Sequence, residues 1–218
     1  MTMHTFRVLS ALLAYPNRDL LDGLDTLPPL LDAEALVPCT ERRALMRFIT
    51  RLGHASLLDA QEAYVGLFDR NRSLSLHLFE HVHGESRERG QAMVRLAALY
   101  RLHGLEIAAH ELPDYLPLYL EFLSLLPEEA ARSLLAEAAP VVAALAEKLE
   151  ARGSDYAAPM RAVVALAARA ADANAVTTLR DRLKPEADSL AALDAAWEEE
   201  AVRFVASPSP EACGSAAP

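Results

Sequence analysis

The sequence predicts an all-α protein, a single-domain helical bundle, on three observations. Hydrophobic residues make up 52% of the 218 residues but aromatic residues only 6%, so the surplus is mainly Leu, Ala and Val, and Ala and Leu lead the helix-propensity scale. Glycine is scarce, with 8 in the chain, which leaves little material for tight β-turns. Apolar residues also recur at helical spacing. We predict one helical domain over residues 1–206 and a disordered tail over residues 207–218.

Prolines punctuate the N-terminal segments. A first helix should run from Met3 to Ala14, because the residue before Pro16 is disfavoured in the helical region. A second short helix should follow Asn17. The next stretch, "DTLPPLLDAEALVP" at 25–38, carries three prolines and is expected to be a connection with one helical turn.

Capping residues mark the helices of the middle section. Thr40 is a favourable N-cap for "ERRALMRFITRLGH", and Ser56 is one for "LLDAQEAYVGLF". A polar break, "DRNRS", separates these helices from a short one in "LSLHLFEHVHG" that ends near Gly84. A long helix is then expected from Ser86 to Gly104, since a left-handed glycine ends many helices.

The remaining helices begin at a cap or a proline. Asp114 is a natural N-cap for "YLPLYLEFLSLL". Pro127 opens a helix, at the position that proline prefers, which reaches Ala151 with a kink at Pro140. Another helix covers "YAAPMRAVVALAARAAD". After Pro185 the pattern weakens, although "LAALDAAWEEEAVRF" can pack one turn onto the body.

Charge and cysteine usage restrict the classes of function. The net charge of −10 disfavours nucleic acid and anionic membranes and favours a basic peptide. Cys39 and Cys213 are too few for a disulfide framework or a four-cysteine metal site, which fits a reducing cytoplasm. The apolar runs fall short of the roughly 18 residues that span a bilayer. The phosphate-binding, dinucleotide-binding and serine-nucleophile glycine motifs are absent from the sequence.

One pattern, "HLFEH", raises a catalytic alternative. His77, Glu80 and His81 have the spacing of the H-x-x-E-H metalloprotease signature, in which two histidines hold zinc and the glutamate activates water. On one helix the three side chains would share a face. A hydrolase also needs a third protein ligand, and the host helix is short. A surface or groove-lining role is therefore favoured, and no metal or cofactor is predicted.

The helix after Asp114 concentrates scarce aromatic residues. Tyr115, Tyr119 and Phe122 lie close together in it, and Asp114 and Glu121 place carboxylates at its rim. Aromatic side chains combined with carboxylates suit a groove for a basic amphipathic peptide. A purely internal role fits each aromatic residue equally well.

Three segments of this chain together resemble one known family. They are "ALLAYP" at 11–16, "HLFEHVHGESRERGQAM" at 77–93 and "LPDYLPLYLEFLS" at 112–124. They are similar to the NarJ family, the cytosolic assembly chaperones, or delta subunits, of respiratory nitrate reductase. The C-terminal "LDAAWEEEAVRF" resembles the end of that family, with Ala201 where a proline is usual. The resemblance extends from Ala11 to Phe204.

The resemblance implies a non-enzymatic, all-helical chaperone of the redox-enzyme maturation type, acting in the cytoplasm. It implies a partner, the apo catalytic subunit of membrane-bound nitrate reductase, bound through its N-terminal segment until the molybdenum cofactor is inserted, which delays membrane anchoring. Relatives that bind twin-arginine leaders carry an Asp-His pair. Here Asp114 is present and Tyr115 replaces the histidine, which suits a client that is not exported. We expect a monomer or weak dimer, with no nucleic-acid partner and no membrane insertion.

The candidate peptide-binding residues combine charge with aromatic surface. Charged or polar contacts are expected from Glu80, His83, Asp114 and Glu121. Apolar contacts are expected from Tyr64, Phe68, Phe79, Tyr115, Tyr119 and Phe122. Two alternatives stay open: a zinc-dependent hydrolase built on His77, Glu80 and His81, and a purely structural subunit of a stable complex, which would need a large exposed apolar surface.

Overall fold

A computed structural model describes residues 3–84, 86–107, 111–167 and 173–182, and within these ranges the chain is all-α, as predicted. All of them lie in the first of the two units into which the chain divides, Met1–Lys184. The α-helices of these ranges are α1 (His4–Leu13), α2 (Arg18–Gly23), α3 (Leu27–Glu34), α4 (Cys39–His54), α5 (Leu57–Tyr64), α6 (Leu78–His83), α7 (Arg87–Leu102), α8 (Leu116–Ser124), α9 (Glu128–Ala151), α10 (Ala157–Leu166) and α11 (Ala173–Arg182).

The hydrophobic core lies between α1, α8, α9 and α10. Helix α1 packs against α8, and α10 packs against both α9 and α4. The backbone N–H of Met3 donates to Ser124 O at 2.8 Å, which joins the start of α1 to the end of α8. The largest fully buried side chains are Phe6, Leu9, Leu12, Leu13, Leu31, Leu45, Leu74, Leu116, Leu120, Leu123, Leu135 and Leu145.

Local capping accounts for several helix starts, as expected from the sequence. The Asn17 side chain accepts a hydrogen bond from Leu20 N at the start of α2, and the Ser56 hydroxyl accepts one from Asp59 N at the start of α5. Each bond satisfies one of the four backbone N–H groups that a helix leaves unpaired at its N-terminus.

Three boundary predictions are wrong. The segment predicted to be a connection contains α3, because Pro28 and Pro29 occupy its first turn, where no intrahelical N–H is needed. Helix α4 begins at Cys39 with Pro38 as its N-cap, so Thr40 lies inside the helix. Pro127 is the N-cap of α9 rather than its first residue.

Two backbone features set the chain direction around α5 and α6. After Tyr64 the helix widens into a π-helical turn, Val65–Asp69, closed by a hydrogen bond from Arg70 N to Val65 O at 3.0 Å. Helix α6 ends at Gly84, as predicted, with φ 57° and ψ −136°. That conformation is accessible essentially to glycine alone.

The C-terminal predictions are tested only in part. Helix α10 matches the beginning of the predicted "YAAPMRAVVALAARAAD" helix, and α11 was not anticipated. The predicted continuation of that helix is wrong at Ala167, whose extended backbone ends α10. Residues 168–172, the "LAALDAAWEEEAVRF" segment and the tail at 207–218 lie outside the described residues.

Candidate functional site

Two distant stretches of sequence pair through their backbones at the site. Leu78 N donates to Asp114 O at 3.0 Å, and Leu116 N donates to Leu76 O at 2.9 Å. These bonds form an antiparallel bridge between His77 and Tyr115. The pairing brings "HLFEH" and "LPDYLP" together, although α7 and its flanking loops separate them in the chain.

Asp114 is the buried centre of this pairing. Its side chain is fully buried, and its Oδ2 accepts a hydrogen bond from Phe79 N at 3.0 Å, while Oδ1 lies 3.5 Å from Nδ1 of His77. Burial alone would raise the pKa of Asp114, but His77, the Phe79 N–H and Arg89 outweigh it and hold that pKa below its ordinary value. Asp114 therefore caps α6. The prediction that it caps α8 is wrong, since Tyr115 occupies that position.

The three residues of the H-x-x-E-H pattern do not share a helix face. His77 precedes α6 as its N-cap residue, and His81 is buried with Nε2 at 2.6 Å from Ser75 O. Since a carbonyl can only accept, Nε2 carries the proton and is not free to bind a metal. Glu80 accepts hydrogen bonds from Arg72 Nε at 2.9 Å and Ser75 Oγ at 2.8 Å.

The surroundings of His81 and Glu80 shift the pKa of both side chains. Burial lowers the pKa of His81, which keeps the imidazole neutral. Burial alone would raise the pKa of Glu80, but the hydrogen bonds from Ser75 and Arg72 lower it below its ordinary value. Among the residues that the structure describes, no three His, Cys, Asp or Glu side chains lie close enough together to hold a metal ion.

A cavity of about 250 Å³ opens beside the paired segments. We call it the tyrosine cleft; its walls include Tyr15, Tyr64, Phe68, His77 and Tyr115, and it is also lined by Asp69 and Glu111. Both carboxylates are exposed. The cleft thus combines aromatic walls with negative charge.

The two inner tyrosines of the cleft are joined by a hydrogen bond. The Tyr64 hydroxyl donates to Leu13 O at 3.0 Å and lies 2.9 Å from the Tyr115 hydroxyl. Because the single hydroxyl hydrogen of Tyr64 is donated to Leu13 O, the Tyr115 hydroxyl must be the donor in its hydrogen bond with Tyr64. Burial raises the pKa of both phenols, so both remain protonated at neutral pH.

A second, more apolar depression of about 300 Å³ lies along α8. We call it the Leu118 groove; its apolar lining includes Leu105, Ile107, Leu118, Phe122 and Leu125. Three exposed carboxylates, Glu106, Glu111 and Glu121, also line it. Glu111 belongs to both the groove and the tyrosine cleft, so the two depressions adjoin.

The structure brings together half of the ten candidate residues. Those that line the cleft or the groove are Tyr64, Phe68, Tyr115, Glu121 and Phe122. Asp114 does not line the cleft, but its carboxylate lies 3.5 Å from Nδ1 of His77, which does. Glu80 lines neither depression and pairs locally, Phe79 packs its ring 5.8 Å from that of His83, and Tyr119 is a core residue whose hydroxyl donates to Leu134 O at 3.0 Å.

Three residues that give the cleft its aromatic and acidic character were not found from the sequence. Tyr15 is 48% exposed and its ring lies 5.6 Å from that of Tyr64; an aromatic residue before Pro16, at a helix end, was the available signal. Asp69 begins the "DRNRS" break directly after the predicted aromatic helix. Glu111 had no signal beyond the abundance of acid in the chain.

Comparison with known proteins gives a consistent set of relatives. The family model for the nitrate reductase delta subunit matches residues 35–162. The chain is 43% identical over 212 residues to the nitrate reductase molybdenum cofactor assembly chaperone NarJ of Escherichia coli (strain K12), covering 96% of this chain and 87% of that protein.

Two further relatives agree. Identity is 41% to the probable nitrate reductase molybdenum cofactor assembly chaperone NarW of the same strain, with 93% of this chain and 84% of NarW covered. It is 34% to the probable nitrate reductase molybdenum cofactor assembly chaperone NarJ of Bacillus subtilis (strain 168), with 70% and 82% covered. The chain belongs to the nitrate reductase delta subunit family.

Membership of the delta subunit family confirms the resemblance seen in the sequence. The matched region, residues 35–162, contains both paired segments and every lining residue of the tyrosine cleft named above except Tyr15. Within the described ranges, none of the helices is long and apolar enough to cross a membrane.

Proposed function

We propose that this protein is a maturation chaperone of respiratory nitrate reductase that binds the N-terminal segment of the apo catalytic subunit. The relatives named as nitrate reductase molybdenum cofactor assembly chaperones support the assembly role. The observation that carries the binding mode is the adjoining pair of depressions, one aromatic and one apolar, which share the carboxylate of Glu111.

The Leu118 groove suits the apolar face of an amphipathic helix. Leu118, Phe122 and Ile107 offer an apolar floor, and helix-in-groove recognition places anchors of the i, i+3, i+4, i+7 type on such a surface. The flanking glutamates would meet basic side chains on the polar face of that helix. The net charge of −10 would steer a basic segment towards the chaperone and raise its association rate.

The chaperone mechanism needs no bond-making. A client held by its N-terminus is biased towards the state that binds best, because a ligand shifts populations by its differential affinity for two states. If the immature subunit binds more tightly than the mature one, the chaperone keeps it in a cofactor-accepting state, away from its membrane anchor, and releases it after cofactor insertion. We propose that this occurs in the cytoplasm, with the chaperone as a monomer or weak dimer.

Calorimetric titration of the protein with a synthetic peptide of the catalytic subunit's N-terminus tests this proposal. We expect saturable binding near one to one. Leu125→Asp, at a side chain 47% exposed in the groove, should weaken binding at least tenfold. The matched control is Leu58→Asp, 73% exposed on α5 and outside both depressions, which should bind like the parent.

Two results would contradict the proposal. The first is the absence of peptide binding by a folded protein, or an equal loss in both aspartate variants. The second comes from metal analysis of the same sample: one tightly held zinc that is lost in His77→Ala would favour the hydrolase alternative instead.

A further inference from the structure

The hydroxyl groups that line the tyrosine cleft have no hydrogen left to donate into it. Ser75, which also lines it, donates its hydroxyl hydrogen to Glu80. Tyr64 donates its hydroxyl hydrogen to Leu13 O, and Tyr115 donates its hydroxyl hydrogen to Tyr64. The side chains of Asp69 and Glu111 are acceptors when ionised.

The hydrogen of the neutral His77 imidazole is directed towards Asp114 and is not available to a ligand in the cleft. Its Nδ1 lies 3.5 Å from the Asp114 carboxylate, which draws the imidazole hydrogen to that nitrogen. The carboxylates of Asp69 and Glu111, which line the cavity, therefore receive no hydrogen bond from the other polar side chains of the cleft. A ligand that carries only donors would match them.

The charge and the aromatic walls of the cleft both favour a cationic ligand. Neither Asp69 nor Glu111 is paired with a cation in the part of the chain that the structure describes. Their negative field reaches the buried phenol, because both carboxylates contribute to the raised pKa of Tyr115. The aromatic walls are close-set, with the rings of Tyr64 and Phe68 centred 4.9 Å apart, and a cation within about 6 Å of an aromatic ring is attracted by its quadrupole.

Other occupants fit less well. An anion would be repelled by both carboxylates. A purely apolar side chain would displace water from the two carboxylates without replacing its hydrogen bonds, which is unfavourable. A guanidinium supplies five donors in a planar fork and stacks on aromatic rings, which a compact ammonium does less well.

We propose that the tyrosine cleft is a subsite for one arginine side chain of the client's N-terminal segment, read by Asp69, Glu111 and the surrounding rings. This inference rests on the proposed function and adds a determinant of specificity to it. The apolar face of the client helix occupies the Leu118 groove, and Glu111 lies where the two meet.

Arginine-by-arginine replacement in the peptide tests the subsite. Calorimetry would compare the parent client peptide with peptides in which each arginine in turn is citrulline, which keeps the shape and removes the charge, or lysine. We expect one citrulline peptide to bind roughly tenfold more weakly, from the loss of cation–π and carboxylate contacts. The lysine peptide at that position should fall between the two.

A double-mutant cycle assigns the loss to the cleft. In Asp69→Asn and in Glu111→Gln, the difference between the arginine and citrulline peptides should shrink by about threefold. Glu62→Gln is the matched control, an exposed carboxylate on α5 outside the cleft, where the difference should stay at its parental size. This control separates contact in the cleft from general electrostatic steering.

The outcomes distinguish the subsite from the docking function. If every citrulline peptide binds like the parent, or if lysine equals arginine at the sensitive position, the subsite is overturned while peptide docking stands. If no peptide binds at all, the docking function itself fails. In that case N-acetylarginine methylamide still probes the cleft: amide NMR shifts localised at Asp69 and Tyr115, without a response to the citrulline analogue, would support a guanidinium site, and unchanged spectra would overturn it.

Discussion

Replacing Asp114 should destabilise the fold in a graded way. Asp114→Ala removes the acceptor of the Phe79 N–H, a 3.0 Å hydrogen bond to a fully buried carboxylate. Loss of a helix N-cap costs about 0.5–2 kcal/mol, and a buried N–H left unpaired costs about 1–3 kcal/mol. The two descriptions overlap, because they concern the same bond. We therefore expect the free energy of unfolding to fall by about 2–3 kcal/mol in the alanine variant.

Asp114→Asn keeps an oxygen for Phe79 but loses the charge. Its amide nitrogen would face His77 Nδ1, 3.5 Å from the present carboxylate oxygen, and unlike that oxygen it could not accept the imidazole hydrogen. We expect a loss of about 1 kcal/mol, the difference between a charge-assisted and a neutral hydrogen bond. Because the pKa of Asp114 lies below its ordinary value of 3.8, the carboxylate is ionised at pH 7. Its contribution is complete above that ordinary value and is lost only as the pH falls through the lower, folded-state pKa.

Urea unfolding of the three proteins at pH 7 measures these differences. The dependence on urea concentration should keep the same slope, so that the midpoint alone moves. Glu121→Gln, at an exposed carboxylate on α8, is the control and should stay within about 0.5 kcal/mol of the parent. An alanine variant equally close to the parent would refute the cap. An asparagine variant as unstable as the alanine one would show that charge, rather than the hydrogen bond, dominates.

Three other changes have expected outcomes. Gly84→Ala should lower the free energy of unfolding by about 1–3 kcal/mol, because a φ of 57° with a ψ of −136° is strained for any residue with a Cβ. Gly90→Ala in α7, where a Cβ meets nothing within 4 Å, should raise it by about 1 kcal/mol. Equal effects of the two substitutions in urea unfolding would contradict this contrast. His81→Gln can still donate to Ser75 O but cannot titrate. Because the folded pKa of His81 is lowered from 6.5, the parent should lose stability as the pH falls below 6.5, by up to about 1.4 kcal/mol per pH unit; parallel pH–stability curves for the two proteins would exclude this role. Tyr115→Phe removes the hydrogen bond between the inner tyrosines of the cleft and should lower the free energy of unfolding by about 0.5–1.5 kcal/mol, and unchanged stability would argue against that bond.

Helices could be predicted from the sequence wherever their signals are local. Ser56 caps α5 and Gly84 ends α6 as expected, since each acts on its own neighbours in the chain. Asp114 was assigned to the helix that comes after it, because a sequence places a cap beside its helix. In the structure it caps α6, on the other side of α7, and no local pattern encodes that pairing.

The sequence indicated the residue types of the candidate site better than their positions in the fold. Tyr115 and Phe122, both predicted to contact a peptide, line the tyrosine cleft and the Leu118 groove, respectively. Tyr119, on the same helix, lines neither depression, and its hydroxyl donates to Leu134 O. Helical spacing gives relative directions but not which face meets the rest of the fold. Tyr15 joins the cleft only through tertiary packing against Tyr64.

The π-helical turn at Val65–Asp69 sets which side chains of this segment face the cleft. It closes with a bond from Arg70 N to Val65 O, five residues apart, so it holds one residue more than an α-helical turn of the same reach. Deleting one residue within the turn would let α5 continue as a regular α-helix and leave the chain beyond Arg70 in its present register. Deleting one residue from the regular part of α5 would instead rotate the residues beyond the deletion by about 100°, the angle of one residue in an α-helix. Phe68 and Asp69 would then turn away from the cavity although neither had been substituted.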